Sequence, residues 1–463
     1  MNATVEGRPL VRYDLIRAHL TASAAFMVIS MLAGLSYSFQ LHNLYPFGGI
    51  EPLSPGRVRM VHTNMAAYGF IANAFIAGLL FSIPRLTRRP ILSDALGWVI
   101  FGAWQLIMVL TIGGQLLGYG QAIEWGETPV FVDPLVMVGL VLLVVNMAAP
   151  IVTTKEEGLY VSLWYFLAAF AWTGLVYFMG NYLPQFWVPG TAGAAITGLF
   201  IHDLVGLFVT PIGWGLMYFF VPMLLRKPIW SHALSLIGFW GIAFFYPMQG
   251  VHHFLFSPIP MYAQYGAVVA TIAIEVVVLT VIVNFFGTLH GRSEAMRGNL
   301  AIRWFYTGMI FYGITCMQCA FHVTLTFQKI IHFTDWVVGH AHMVMFGVFG
   351  FWIFGLFVDL WPRAVGRDWV QPRLLTMHYW MTTIGLILMI VDLTAAGLVQ
   401  GFSWANLAPW SDSVIASQPF WIARTFSGLL IIAGQALFLY ALWITAREPA
   451  VRPSLDRAAV GAA

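Results

Sequence analysis

Asp335-Trp336-Val337-Val338-Gly339-His340-Ala341-His342 stands at the head of a long apolar run. On a helix, residues two apart point about 200° apart, with a rise of about 3 Å. His340 and His342 would therefore reach two different neighbours at nearly one depth. Two metal-centred cofactors flanking one transmembrane helix need that arrangement. A histidine packed for hydrogen bonding in a crowded bundle is the plainer reading, and this stretch alone leaves both open.

Composition makes that helix a membrane span. The chain has 463 residues, 60% hydrophobic and 9% charged, with mean hydropathy +0.80. Soluble domains are about 25% charged. The expected fold is an all-α polytopic membrane protein whose outer partner is membrane lipid. Twelve apolar runs reach the ~20 residues that cross the hydrocarbon. They cover residues 22–41, 60–83, 95–117, 135–151, 159–180, 194–223, 235–256, 265–286, 304–327, 336–360, 375–399 and 421–443. No linker or second composition regime separates them, so residues 1–463 read as one integral-membrane domain. The polar start through Leu10 has no cleavable signal pattern, so the first run reads as a retained span. The net charge of +3 is small and lies in loops, which does not suggest nucleic acid.

Lys and Arg orient the bundle. Arg8, Arg12, Arg17, Arg85, Arg88, Arg89, Lys155, Arg226, Lys227, Arg292, Arg297, Arg303, Arg363, Arg367, Arg373, Arg447, Arg452 and Arg457 fall on one side. Arg57, Arg59, Lys329 and Arg424 fall on the other. The crowded side is read as cytoplasmic, with both termini on it.

Depth then sorts the thirteen histidines. His62, His202, His252, His253, His340 and His342 sit on four helices, each within roughly a dozen Å of the outer face at 1.5 Å per residue. His322 lies at the same depth. His19, His232, His290 and His378 fall at cytoplasmic helix ends, and His42 and His332 in outer loops, where they read as ordinary interfacial residues. Buried imidazoles in lipid are costly unless paired, and neutral imidazole is a common ligand for iron and copper. The adjacent pair His252-His253 plus one histidine from another helix makes a three-nitrogen site with an open position. A haem iron with two axial histidines is closed and suits electron transfer, whereas one with a single histidine binds gas. Tyr246 precedes His253 by seven residues, about 700° of helix, and is expected on nearly the same face. A phenol there could supply a proton and an electron; a packed core tyrosine is the plainer reading. Cys316 and Cys319 form C-x-x-C inside an apolar helix with Ala320 next, so the covalent c-type haem motif is absent. They read as packed thiols.

Gly56-Arg57-Val58-Arg59-Met60-Val61-His62-Thr63, His202-Asp203-Leu204-Val205-Gly206-Leu207-Phe208, Tyr246-Pro247-Met248-Gln249-Gly250-Val251-His252-His253 and the stretch from His332 to His342 together resemble the catalytic subunit of haem–copper oxidases. The likeness is to the cbb3-type, or C-family, cytochrome c oxidases and covers nearly the whole chain. It implies a terminal respiratory oxidase in the bacterial cytoplasmic (inner) membrane. Such an enzyme reduces dioxygen to water with electrons from cytochrome c and is coupled to proton translocation. It implies two haems b, one copper ion and c-type cytochrome subunits as partners. His62 and His342 would ligate the low-spin haem, His340 the high-spin haem, and His202, His252 and His253 the copper. Tyr246 would be the active-site tyrosine, cross-linked to His202 in this family. Arg57 and Arg59 would pair with haem propionates, although as loop residues they also read as solvated arginines.

The chain departs from that pattern in places. Gln318 stands where the family has a glutamate, Asp203 replaces an asparagine, Phe254 and Leu255 follow the paired histidines where polar residues are usual, and His322 replaces an apolar residue. These departures keep open a nitric oxide reductase of the same superfamily, with non-haem iron in place of copper. The respiratory members of that group carry a glutamate one turn after the first metal ligand, where this chain has Gly206, and lack the tyrosine. A haem-containing transporter or sensor would explain the intramembrane Glu275 and Asp392 but not the paired histidines.

Overall fold

A long apolar segment in lipid must satisfy every backbone polar group internally, so each of these runs becomes a helix. The computed structural model describes residues 4–5 and 7–447; Arg452 and Arg457 and the chain's two ends lie outside the described residues. The long helices are α1 Tyr13–Leu41, α2 Pro55–Thr87, α3 Asp94–Leu117, α4 Asp133–Val152, α5 Val161–Trp187, α6 Gly190–Leu225, α7 His232–Phe254, α8 Met261–Leu289, α9 Leu300–His322, α10 Asp335–Val365, α11 Pro372–Ala405 and α12 Trp410–Arg447. Eleven are long and apolar enough to cross a membrane. α9 makes a twelfth when counted with the short helix Leu325–Ile331, to which it is bent by 104°. The ninth apolar run was expected to continue to residue 327. It stops at His322 because Thr324 leaves the helical region at φ −64°, ψ 129° and its hydroxyl caps the carbonyl of Phe321 at 2.8 Å.

Helix ends carry local signals. Ser93 and Ser231 accept the amides of Leu96 and Leu234 at 3.2 Å, Asn299 accepts that of Ala301 at 2.9 Å, and Thr334 accepts that of Trp336 at 3.3 Å. Thr334 thereby starts α10 one residue before the Asp335–His342 stretch.

The helices fall into two sets. Over the most apolar window, 94% of α2, 94% of α6 and 83% of α10 is buried by the rest of the protein, against at most half for α1, α3, α4, α5, α7, α8, α11 and α12. The outer helices face lipid on one side; these three are wrapped on all sides. Each of the three also widens into a π-helical segment: Met65–Ile71 in α2, Leu204–Val209 in α6 and Met343–Gly350 in α10. The segments begin within three residues of His62, His202 and His342. Such widening recurs at functional sites because the extra residue re-aims side chains on one turn.

At the other end of the bundle two of the presumed interfacial histidines prove wholly buried. His19 is 1% exposed, with Nδ1 2.9 Å from Asn73 Oδ1, and His378 is 0% exposed, with Nε2 3.0 Å from Gln435 Oε1. Amide side chains on neighbouring helices make their burial tolerable, as polar pairs between membrane helices do.

Candidate active site

His62 on α2 and His342 on α10 face each other, with ring centroids 6.1 Å apart and planes 27° from parallel. His62 Nδ1 donates to the carbonyl of Ser30 at 2.8 Å, and the Ser30 hydroxyl returns a bond to the His62 carbonyl at 2.8 Å. His342 Nδ1 donates to the carbonyl of Val338, one turn back, at 2.8 Å. A carbonyl only accepts, so both Nδ1 atoms carry the proton and each Nε2 keeps its lone pair. Gly34 on α1 makes room for this: a Cβ there would lie 2.6 Å from His62 Nδ1.

Both rings line a cavity of about 500 Å³ between α1, α2, α10, α11 and α12. Its wall is mostly apolar, with Arg59, Glu124, Asp335 and Arg424 among the charged residues. Arg424 is only 8% exposed and lies over the ring of Tyr37, 5.9 Å from its centroid. Arg59 pairs with Glu124 at 3.1 Å, a half-exposed contact of little strength. Arg57 is not in this wall; it reaches Glu51 at 2.6 Å and the carbonyl of Leu116 at 2.9 Å. It borders an adjoining depression with Glu124 and Glu127. Glu127 accepts from Asn64 at 2.8 Å, and burial pushes its carboxyl up to about 7. The motif resemblance points to Arg57 and Arg59 for this role but not to Arg424. Its signal was visible as an arginine inside an apolar run.

His202, His252 and His253 form a second group, each offering a ring nitrogen, all within 4.8 Å of one another. His202 Nδ1 is 3.3 Å from His253 Nε2. His252 Nδ1 donates to Thr271 Oγ1 at 2.8 Å, because that hydroxyl already gives its own proton to Ala267 at 2.7 Å. Two glycines bring the elements together. A Cβ at Gly250 would lie 2.3 Å from the Cα of Leu199, and one at Gly198 3.0 Å from the Gly250 carbonyl, so α6 and the end of α7 touch backbone to backbone.

Tyr246 stacks on His202, with centroids 4.9 Å apart and planes 29° from parallel. The expected helical register from Tyr246 to His253 does not hold. The α-helical part of α7 ends at Phe245, and 3₁₀ turns cover Tyr246–Met248 and Gly250–Phe254. Pro247 removes a backbone donor just inside the first of these turns. Tyr246 consequently turns toward α6, where Gly206 opens a slot: a Cβ at 206 would lie 1.9 Å from Tyr246 Cδ1.

His340 points away from His342, toward α9. Its Nδ1 lies 3.0 Å from Gln318 Oε1 and its Nε2 3.6 Å from Cys319 Sγ, while His322 meets its ring edge-on at 5.2 Å. Gln318 therefore keeps a proton on Nδ1, and Cys319 is a neighbour of the site where Cys316 is buried packing. Asp203 is 2% exposed with Oδ1 unbonded among the described residues.

Comparison with known proteins gives the family. The family model described as cytochrome c and quinol oxidase polypeptide I matches residues 14–430. Cytochrome c oxidase subunit 1 of Rhodobacter capsulatus is 28% identical over 94% of this chain and 86% of its own length. The cbb3-type cytochrome c oxidase subunit CcoN1 of Stutzerimonas stutzeri is 26% identical over 95% of this chain and 96% of its own. A cryo-EM structure of a haem–copper terminal oxidase dimer shares the fold, with TM-score 0.81 at 13% identity, covering 96% of this chain and 85% of that one. The chain belongs to the cytochrome c and quinol oxidase polypeptide I family and is a haem–copper oxidase catalytic subunit.

Proposed function

We propose that this subunit reduces dioxygen to water with electrons from a c-type cytochrome. Low-spin haem b would be held by His62 and His342, high-spin haem b by His340, and one copper ion by His202, His252 and His253. The cavity between His62 and His342 supports the first of these. The two rings, with centroids 6.1 Å apart, line one cavity of about 500 Å³ and would hold one metal-centred group between them. Its buried cation, Arg424, with Arg59, suits a group bearing carboxylates. Arg57, engaged elsewhere, would act only at the rim. Donors within 4.8 Å of one another suit a single ion in the second group. When bound, the haems and the metal supply electron transfer and the redox steps on oxygen.

The chain's own residues do the rest. Hydrogen bonds to Ser30, Val338, Gln318 and Thr271 fix which ring nitrogen is bare and how the imidazoles are aimed. Tyr246 offers a phenol proton at the ring face of His202. The observation that carries the oxidase reading is the Gly206–Tyr246 slot. A glutamate at 206, as in the respiratory nitric oxide reductases, and the tyrosine ring cannot occupy it together. Asp203, buried beside His202, favours nitric oxide reduction at a non-haem iron as the second reading. Location in the bacterial cytoplasmic membrane with both termini inside, partner c-type cytochrome subunits and proton translocation belong to the same proposal, supported by cation placement and by family. Metal analysis of the purified complex, with oxygen and nitric oxide turnover on one preparation, tests it. Stoichiometric copper with oxygen turnover is expected; iron with turnover of nitric oxide alone would overturn it.

A further inference from the structure

Glu275 stands halfway along α8, among the most apolar helices of the bundle. An ionisable side chain at that depth is costly in lipid and marks a functional site by default. Its Oε1 is buried and has no hydrogen-bond partner among the described residues, and no cation faces it there. The helix is interrupted at this point. Its two α-helical pieces, Met261–Ala273 and Glu275–Leu289, meet at Ile274. The Ile274 carbonyl accepts from the amides of both Val277 and Val278, at 2.8 and 3.0 Å. The turn is thereby tightened where the carboxyl leaves the backbone.

The position relates Glu275 to two of the histidines. On its own helix it follows Thr271 by one turn and shares its face. Thr271 is the residue that takes the proton of His252 Nδ1. Across the contact between α8 and α9, the carboxyl lies within electrostatic reach of Tyr312, Cys316 and Cys319, the titratable groups that face it. Cys319 in turn lies 3.6 Å from His340 Nε2. Glu275 is thus one residue removed from His252 on one side and from His340 on the other. Two other carboxyls in the spans are placed differently. Asp203 adjoins His202 in the chain and is 2% exposed, and Asp392 faces Asp335 and Arg424 beside the other cavity.

Reduction of dioxygen to water and reduction of nitric oxide both consume one proton for each electron. We propose that Glu275 is a proton carrier for the three-histidine group. Its carboxyl O–H breaks as the proton leaves toward the site across the α8–α9 contact. The carboxylate left behind takes a proton from water before the next turnover, and no electron moves in this step. A carboxyl suits the task because one side chain serves as both acid and base, whereas an amide of the same shape is neither. The proposal rests on the reading of the three histidines as the site of a proton-consuming reduction, but not on which gas is reduced.

The test compares the purified holo-complex of wild type, Glu275→Gln and Glu275→Asp. Each is fully reduced and mixed with dioxygen, or with nitric oxide if that is the gas the wild type turns over. Haem absorption follows the electrons, and a pH-indicator dye follows proton uptake. Metal-to-haem ratio and the low-spin spectrum check assembly. In Glu275→Gln, proton uptake and steady turnover should both fall by about 10²-fold or more, with metal, spectrum and electron entry into the low-spin haem unchanged. Glu275→Asp keeps the carboxyl and should recover most of the rate. Wild-type uptake and turnover in Glu275→Gln would overturn the proposal. Equal losses in both variants, or loss of metal or haem in Glu275→Gln, would overturn it too, since packing alone would then explain the effect. A wild-type complex that turns over neither gas would instead overturn the functional reading itself, and this inference with it.

Discussion

The two histidine groups solve opposite problems. His62 and His342 are held 6.1 Å apart across a cavity of about 500 Å³, and backbone carbonyls of Ser30 and Val338 fix both rings. His202, His252 and His253 are drawn together until their donors lie within 4.8 Å, and side chains surround them: Thr271 takes the proton of His252, and Tyr246 stacks on His202. A carbonyl anchor survives almost any substitution of the residue that carries it; a side-chain anchor does not. The first group should therefore depend on its ligands and on the space around them. The second should be adjustable from its surroundings.

The sharpest way to break that contrast is to remove a ligand from each side. His62→Ala should abolish the bis-histidine signal in the reduced-minus-oxidised spectrum and leave the metal of the three-histidine group in place. His252→Ala should do the reverse, read as metal-to-haem ratio. Loss of both signals in either variant would mean that the groups are not separate. Next in size, Tyr246→Phe should leave both haems bound yet lower oxygen turnover by about 10²-fold or more, the usual worth of a positioned proton donor. Peptide mapping of the wild type should show a covalent mass link between segments containing Tyr246 and His202. Full turnover without the phenol would sink the role given to it.

Gly206→Ala tests the slot rather than the ring. A Cβ 1.9 Å from Tyr246 Cδ1 must displace the phenol. Misplacement of about 1 Å can cost 10²-fold in rate, so turnover should fall while metal content stays. An active alanine variant would show that the ring position is not required. The smallest effect is expected from Gly34→Ala, where the new methyl would press on His62 Nδ1 from 2.6 Å. Overpacking of this sort costs about 1–3 kcal/mol. It should appear as a lower melting temperature and a shifted low-spin band, with the three-histidine metal untouched. A shift in that metal's content instead would contradict the independence of the two groups.

Much of this was legible along the chain. Twelve apolar runs give the bundle because lipid leaves the backbone no partner but itself. Counting residues from a helix end gives depth, so the six histidines could be set at one level before any packing was known. The spacing of His340 and His342 settles their divergence, because two residues on a helix subtend a fixed angle. Other features depend on contacts between distant residues. The 3₁₀ turns after Phe245 moved Tyr246 off the predicted face and onto α6, and only Gly206, forty residues earlier, admits it there. Arg424 became a cavity residue because α12 packs beside α1 and α10. Which nitrogen each imidazole offers follows from acceptors remote in sequence: Ser30 for His62, Gln318 for His340, Thr271 for His252. Helix formation and depth are short-range properties of the chain in lipid and can be counted along it. Tautomer, ring orientation and the size of the space between rings are set where helices meet, and so belong to the tertiary structure alone.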